Sequence, residues 1–460
     1  MDTAPTQDTY TDRQLRLEIY DVGVPSFLET LFTTFASIID SKMVSSMGVA
    51  AISAISVTNQ PRLFTFSLFF ALNTVTSSLV ARYLGQHDRD GANRTLDAVL
   101  KLVTILSVIL SILSVALARP IMIVFAKQPD TIDASVTYYR IIMGGMIFNL
   151  LYMAINSALR GCGKTRLTFT SNALSAVVNI FFNYLLIDGH LGFPALGIAG
   201  AALATVLGNV AAFLLSLIFA MNRELFVNIP YCLKGRFHMT RENTAELKSM
   251  AQSTVTDNLV MRFSLLIIGA ITARIGSFQM AIYSVGMHLL NINLALGTGL
   301  QTAGVALIGR SFGNGDRKRM KRYKAQMTRI GVIAALALGL IIILTGRLYY
   351  GFFSSDPEFI RVGSISCILI GIITLFQTMK FVYSGCLQGI GAMKDVMKAS
   401  IVSFAFVNIS LLVILVLVFR IGIWGTWIAS LASQGTQAFM LLYFIRRNQA
   451  LTLDPPAGAS

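Results

Sequence analysis

The sequence repeats itself at a constant spacing of 228 residues. Gly48 has its counterpart at Gly276, and the spacing holds to Gly163 and Gly391. Between them it pairs a helix and its following loop in both copies, namely Leu72, Thr74, Leu79, Arg82, Gly85, Asp88, Arg89 and Arg94 with Leu300, Thr302, Leu307, Arg310, Gly313, Asp316, Arg317 and Arg322. We therefore expect two copies of one folding unit, a plan that is typical of secondary transporters.

The composition places both copies in a membrane. Of 460 residues, 55% are hydrophobic and only 13% are charged, whereas about a quarter of a soluble domain is charged. A spanning helix needs about 20 apolar residues, and the sequence offers six such stretches per copy. They lie at about 22–45, 62–82, 99–118, 137–159, 167–188 and 198–220, then at about 250–272, 282–308, 327–346, 363–386, 398–418 and 423–445. The prediction is an all-α integral membrane protein with twelve transmembrane helices in two six-helix lobes, related by a pseudo-twofold axis along the membrane normal.

The distribution of basic residues predicts the orientation of the chain. With the N-terminus inside, the inner loops and tails hold 24 Lys and Arg, and the outer loops hold 8. Because basic loops stay cytoplasmic, we expect a multi-pass protein of the cell membrane with both termini cytoplasmic. The same distribution explains the net charge of +15 without a nucleic-acid partner. The predicted domains are an N-lobe at 1–220, a cytoplasmic linker at 221–249, a C-lobe at 250–447 and a cytoplasmic tail at 448–460.

Two other sequence features give no sign of a nucleotide-binding or metal site. The segment Arg160–Thr165 ends like a phosphate-binding loop, but the first glycine of that motif falls on Ala158. Because Gly161 and Gly163 recur in the second copy, the segment is predicted to be a tight turn between spans. The four cysteines show no metal-binding spacing, so free thiols are expected. With no ATPase motif, cofactor or nucleotide-binding subunit predicted, transport would depend on an ion gradient, with H⁺ or Na⁺ as the coupling ion.

Polar residues within the first copy form a candidate ion-coupling site. Asp40 lies inside the first span, where a charged carboxylate costs several kcal/mol unless it faces a partner or a cavity. Asn179 and Asn183 share one face of the fifth span at a spacing of four residues. Thr205 and Asn209 have the same spacing in the sixth span. Such amides and hydroxyls can also join helices, but together with a carboxylate they suit a proton or cation site.

The second copy does not repeat this carboxylate, because the position equivalent to Asp40 is Ile268. Glu29 does recur, as Asp257. Both acids are predicted near the inner ends of their helices, where gate contacts and interfacial hydration are alternative roles. Arg262 and Lys380 could pair with Asp257 or hold a carboxylate of the substrate.

The chain resembles the multidrug and toxic compound extrusion family over nearly its whole length. The similarity is found at Pro25, Asp40 and Met43-Val44, at Leu159–Arg166, and at Asn179–Ile187 followed by Leu196–Thr205. The resemblance implies twelve helices around a central cleft, alternating access, and export of cationic, amphipathic compounds in exchange for protons or sodium.

The resemblance also assigns the N-lobe ion site to Asp40, Asn179, Asn183 and Thr205. Asn183 departs from members that have Asp at this position. In the C-lobe, the tenth-span acid of sodium-linked members is replaced by Gln377, and Asp257 lies about one turn from the seventh-span position. The pattern is more similar to the DNA-damage-inducible branch, for which proton coupling through the N-lobe is the usual proposal.

The predicted function is therefore secondary multidrug export by a monomer that needs only the bilayer and small organic substrates as partners. The alternative from a different class is a flippase for lipid-linked saccharides, a relative in the same superfamily. Twelve spans and the acid of the first lobe count against it, whereas Arg262 and Lys380 are compatible with it. A channel is a third interpretation, disfavoured because no repeated pore-lining rings are found.

Overall fold

The computed structural model describes residues 11–45, 47–125, 129–235, 241–448 and 451. Within these ranges every regular element is helical. The α-helices are α1 Asp12–Ser45, α2 Val49–Gly85, α3 Arg89–Ala116, α4 Ala118–Phe125, α5 Pro129–Gly144, α6 Met146–Gly161, α7 Thr165–Leu186, α8 Ile198–Met221, α9 Ile229–Gly235, α10 Arg241–Ala273, α11 Ser277–Gly313, α12 Arg317–Phe353, α13 Pro357–Gly389, α14 Met393–Ser400, α15 Ile409–Leu412 and α16 Ile423–Arg447. A 3-10 turn covers His190–Gly192, and π-helices cover Ile401–Asn408 and Val413–Val418. Apart from 448 and 451, the predicted tail at 448–460 lies outside the described residues.

The number of membrane-spanning helices agrees with the sequence prediction. Eleven helices of the described chain are long and apolar enough to span a membrane, and a bent pair of helices brings the number to twelve. The all-helical membrane fold is therefore confirmed. Several helices extend beyond the predicted stretches. For example, α2 begins at Val49, 13 residues before the predicted start at 62.

The bent pair is α5 and α6, which cover the predicted span 137–159 and meet at an angle of 45°. The bend falls at Gly144 and Gly145, a pair that favours kinks. Gly145 also packs tightly, because a Cβ there would lie 2.5 Å from Val206 of α8. In the second copy the equivalent residues are Ile372 and Ile373, and α13 continues unbroken from Pro357 to Gly389. Two glycines thus explain why one span bends and its repeat does not.

The repeat is visible in the helix ends. Asp88 caps α3 by accepting a hydrogen bond from the Gly91 N–H, and Asp316 caps α12 in the same way through Arg319 N–H. The turn at Gly161–Lys164 places Gly163 at a φ of 73°, and its counterpart Gly391 has a φ of 83°. Only glycine adopts such angles without strain. The segment that resembles a phosphate-binding loop is therefore a turn between helices, as predicted.

Packing divides the chain differently from the predicted lobes at 1–220 and 250–447. A first compact unit comprises Leu28–Ala251, and a second comprises Met1–Phe27 with Gln252–Ser460. Both boundaries fall inside helices. The first turns of α1 therefore belong to the second unit, whereas the first turns of α10 belong to the first. The predicted lobe boundaries followed the repeat, and the sequence pattern did not indicate this exchange of helix ends.

The predicted linker at 221–249 contains α9 and the start of α10, and 236–240 lie outside the described residues. Asn93 of α3 holds the segment before α9: its side-chain amide donates to Phe226 O at 2.9 Å and its Oδ1 accepts from Asn228 N at 2.9 Å. All four cysteines are free, which confirms the expectation for them. Burial raises the pKa of Cys162 and Cys232, in the connecting segments, to about 12. Thiols with so little thiolate at neutral pH are chemically unreactive.

Candidate functional site

The first unit joins the four predicted ion-coupling residues into one hydrogen-bonded chain. Asn183 of α7 donates to Asp40 Oδ1 of α1 at 2.5 Å and, one turn back, to Asn179 Oδ1 at 3.3 Å. Asn179 in turn donates to the hydroxyl of Thr205 on α8 at 3.2 Å. Thr205 donates to its own helix at Ala201 O. A single carboxylate is thereby linked to three helices.

This chain contains an unused acceptor beside the carboxylate. Asn183 is fully buried, and its Oδ1 has no hydrogen-bond partner among the described residues. Leaving a buried carbonyl oxygen unpaired costs about 1–3 kcal/mol. An unpaired acceptor on the side chain that donates to a carboxylate is suited to a site for a proton or a small cation. The geometry is compatible with the predicted role, which remains a prediction.

Two residues that the sequence analysis did not assign to this site lie next to it. Arg62 of α2 interacts electrostatically with Asp40, and its guanidinium donates to Asn59 Oδ1 at 2.9 Å. Tyr138 of α5 is 4% exposed and interacts with both Arg62 and Thr205. The predicted second span begins at 62, so the sequence pattern places Arg62 at the edge of an outer loop, whereas α2 begins at Val49. Tyr138 is one of two adjacent tyrosines in α5, and nothing in the sequence pattern distinguishes it from Tyr139 or points to this site.

Glu29 lies in a second polar cluster of the same unit. Glu29 is 9% exposed, and three side chains of α6 and α7 donate hydrogen bonds to its carboxylate. Arg160 donates to Oε1 at 2.5 Å, Asn172 donates to Oε1 at 2.8 Å, and the hydroxyl of Thr168 lies 3.0 Å from Oε2. This cluster, Glu29 with Arg160, Thr168 and Asn172, is called the Glu29 clasp below. A carboxylate bonded so completely is suited to holding helices together rather than to binding a substrate.

The repeat-equivalent cluster of the second unit is bonded differently. Asp257 of α10 interacts with the hydroxyl of Ser400, which corresponds to Asn172. Lys380 of α13 interacts electrostatically with Asp257. Gln437 of α16 donates to Ser400 Oγ at 2.7 Å. Asp257, Lys380, Ser400 and Gln437 are called the Asp257 group below.

The remaining candidates do not join the Asp257 group. Gln377 accepts a hydrogen bond from Asn293 of α11 at 2.8 Å, so it joins α13 to α11. Arg262 is half-buried, and its Nε has no hydrogen-bond partner in the described part of the chain. No described group of three or more His, Cys, Asp or Glu residues could hold a metal ion.

Comparison with known proteins identifies the family. The sequence profile named MatE matches residues 25–185 and again 254–414, which are the two copies of the repeat. The chain belongs to the MatE family. This family consists of transporters, so the chain is a multi-span membrane transporter.

Relatives of this MatE-family protein cover nearly all of its length. A probable multidrug resistance protein, NorM of Thermotoga maritima, is 23% identical over 91% of this chain and 89% of its own. A multidrug resistance MATE family transporter of the MOP superfamily, solved in an outward-facing conformation, superimposes with a TM-score of 0.87 at 20% identity, over 97% of this chain and 100% of that one. A MOP superfamily transporter of Pyrococcus furiosus matches with a TM-score of 0.87 at 21% identity, over 97% and 99% of the two chains. At such identities the structures establish the shared fold.

These matches also separate the functional alternatives. They favour the exporter interpretation over the lipid-linked saccharide flippase that Arg262 and Lys380 had left open. They do not separate branches within the family, so membership of the DNA-damage-inducible branch stays a prediction.

Proposed function

We propose that this MatE-family protein is a secondary active multidrug exporter that exchanges a coupling ion, the proton, for organic cationic and amphipathic compounds by alternating access. The observation that carries the proposal is the chain of hydrogen bonds from Asp40 through Asn183 and Asn179 to Thr205. The resistance protein of Thermotoga maritima supports the multidrug part. For the Pyrococcus furiosus transporter, a binding pocket of reverse polarity suggests a different function.

Asp40 would act as the coupling group through its hydrogen bond from Asn183. A hydrogen bond to an ionised carboxylate is about twice as strong as a neutral one, so protonation of Asp40 weakens the link between α1 and α7. Binding of a proton and binding of a cationic substrate would then favour different arrangements of α1. Two ligands that favour different states of one protein are coupled, and each lowers the affinity for the other.

Arg62 and Tyr138 would tune this exchange. When Asp40 is ionised, Arg62 is the nearby cation that attracts it, and it competes with a bound proton or cation. Tyr138 interacts with both Arg62 and Thr205, so it connects this arginine with the far end of the polar chain. The supply of a proton from the outside would thus change the contacts of α1, α2, α5, α7 and α8 in the first unit.

The test is ethidium efflux from membrane vesicles under an imposed pH gradient or an imposed sodium gradient. Asp40→Asn is expected to abolish proton-driven efflux, since the Asn amide cannot take up and release a proton near neutral pH, while the protein remains in the membrane. Asp97→Asn is the matched control, because Asp97 pairs with Lys101 at 2.6 Å and takes no part in the chain. Normal proton-driven efflux by Asp40→Asn would contradict the coupling role. Efflux driven only by sodium would point to a different coupling ion.

We also propose a cell-membrane location with both termini cytoplasmic, a monomeric state, and no nucleotide-binding or nucleic-acid partner. The support for the orientation is the excess of 24 over 8 basic residues in the inner loops and tails. Cysteine-accessibility labelling of intact cells, with single cysteines placed at Thr11 and at Asn448, is expected to fail for a membrane-impermeant reagent until the cells are opened. Labelling of either site in intact cells would contradict the proposed orientation.

A further inference from the structure

Lys380 is a buried cation of the second unit without a hydrogen-bond acceptor. Lys380 is 8% exposed, and its Nζ lies 4.7 Å from the centroid of the Phe381 ring and 5.6 Å from that of the Phe404 ring. Within the described residues it forms no hydrogen bond and no direct ion pair, although it interacts with Asp257 at longer range. An ammonium group carries three donors. Two aromatic faces attract it but accept none of the three as strongly as an oxygen atom would.

The same group of residues contains an acceptor without a donor. Gln437 is 5% exposed and uses its amide to donate to Ser400 Oγ, whereas its Oε1 is buried with no partner among the described residues. Ser400 is the hydroxyl beside Asp257. One side of the Asp257 group therefore offers unmatched donors, and the other offers an unmatched acceptor. Both deficits are costly in a buried site.

The first copy shows that the repeat alone does not require this arrangement. The position equivalent to Lys380 is Tyr152, and Glu29 obtains its cation from Arg160 by a direct ion pair at 2.5 Å. In the second copy the cation is instead carried by α13 and is not in direct contact with the acid. Phe404, the second aromatic neighbour of Lys380, lies in the π-helix Ile401–Asn408. Such π-helical segments occur frequently at functional sites.

We propose that Lys380 anchors a binding site for the carboxylate group of an amphipathic aromatic compound, with Phe381 and Phe404 beside its ring system and Gln437 Oε1 accepting an N–H of the same compound. A carboxylate supplies the acceptor that the ammonium lacks, by a charge-assisted hydrogen bond. The substrate class that follows is the zwitterionic aromatic compound. This assignment deepens the proposed export function and rests on it for its biological meaning, but the site itself can be tested by binding alone.

The test uses two dyes that share one ring system: rhodamine 110, which carries a free carboxylate, and rhodamine 123, its methyl ester. Their binding to the purified full-length protein in detergent is measured by fluorescence anisotropy. Lys380→Met is expected to weaken rhodamine 110 at least about tenfold, the effect of losing a hydrogen bond to a charged group, and to change rhodamine 123 less than about twofold. Lys398→Met is the matched control, since Lys398 is exposed and lies 4.0 Å from Asp395.

Asp257→Asn tests the sign of the effect. Asp257 competes with a ligand carboxylate for Lys380, so its neutralisation is expected to tighten rhodamine 110 about threefold or more relative to rhodamine 123. A structural role for Lys380 would not produce this gain. Because Lys380→Met leaves Asp257 buried without its cation, Asp257→Asn/Lys380→Met removes both charges and keeps the test valid if the single variant does not fold.

The results separate the site from the exporter. Absence of rhodamine 110 binding to the wild-type protein, or equal losses of both dyes in Lys380→Met and in the double variant, would overturn the carboxylate site. These outcomes concern binding and leave the vesicle test of Asp40 untouched. Conversely, if the vesicle test shows no gradient-driven efflux, the exporter proposal fails. The Lys380-dependent difference between the two dyes is still expected in that case.

Discussion

Glu29 and Asp257 occupy equivalent positions of the two repeats but have different surroundings. Glu29 is bonded to Arg160 and Asn172 and approached by Thr168. Among the described residues, Asp257 interacts with the Ser400 hydroxyl and, without direct contact, with the Lys380 cation. The equivalent position therefore carries a fully hydrogen-bonded carboxylate in the first unit and an incompletely hydrogen-bonded one in the second.

The difference lies in where each copy carries its cation. Arg160 stands at the end of α6, and its counterpart Gln388 is neutral and accepts a hydrogen bond from Gln301 at 2.9 Å. Lys380 stands eight residues earlier on α13, about 12 Å along the helix, where the first copy has Tyr152. The two copies share their helix ends and turns, but they carry the cation, Arg160 or Lys380, at positions that are not equivalent. Function can therefore differ between two copies that share one backbone plan.

The largest expected effect on stability comes from replacing Arg160, the cation of the Glu29 clasp. Arg160→Met leaves the buried carboxylate of Glu29 without its counter-charge, which is expected to cost about 3–5 kcal/mol in the free energy of unfolding. Gln388→Met, at the equivalent position of the second copy, removes the neutral hydrogen bond from Gln301 and is expected to cost about 1 kcal/mol. Denaturant unfolding of the purified protein measures both.

The double variant Glu29→Gln/Arg160→Met provides the control. Removing both charges is expected to recover most of the stability that Arg160→Met loses, because no uncompensated charge remains. Equal losses of unfolding free energy in Arg160→Met and Gln388→Met would mean that the Glu29 clasp is no stronger than a neutral contact. The contrast drawn between the two copies would then be wrong.

Much of the fold could be predicted from the sequence because its signals are local. Spans follow from runs of apolar residues. The repeat pairs Asp88 with Asp316, and in the structure both residues cap the helix that follows. In the candidate site, the spacing of Asn179 and Asn183 placed both amides on one face of α7, and the structure brings Asp40 and Thr205 to that face.

What the sequence left out depends on partners that are distant in the chain. Arg160 reaches Glu29 across 131 positions, and nothing near either residue indicates the other. The split of α1 between Phe27 and Leu28 is a property of packing, not of hydrophobic pattern. The bend at Gly144 and Gly145 had a visible cause, two adjacent glycines, that the span prediction did not use.

A smaller effect is expected from neutralising the two equivalent acids. Glu29→Gln replaces charge-assisted hydrogen bonds by neutral ones and leaves Arg160 without its acid, at a cost of about 1–3 kcal/mol. Asp257→Asn removes a buried charge that has the Ser400 hydroxyl beside it. It also leaves Lys380 without its acid, but because the two groups are not in direct contact, the effect is expected to stay within about 1 kcal/mol of zero. The same unfolding measurement compares them. A greater loss in Asp257→Asn would show that Asp257 is bonded more strongly than its contacts indicate.

The smallest effects are expected where the helix ends are exchanged between the compact units. Glu18 and Glu246 are 228 positions apart. Arg319 reaches both carboxylate oxygens of Glu18 at 3.0 and 2.9 Å, and the Tyr323 hydroxyl donates to it as well. Glu246 pairs with Arg82 at 2.7 Å, and its side chain is 38% exposed.

Since exposed ion pairs contribute about 0–1 kcal/mol, Glu246→Gln is expected to shift the unfolding free energy by at most about 0.5 kcal/mol, and Glu18→Gln by about 1 kcal/mol because of its additional donors. Both losses should shrink when unfolding is repeated in about 1 M salt, which screens exposed charges. A larger loss for Glu246→Gln than for Glu18→Gln would mean that the start of α10 is held more firmly than the start of α1. That order of stability would be the reverse of the one that the hydrogen bonds of Glu18 and Glu246 indicate.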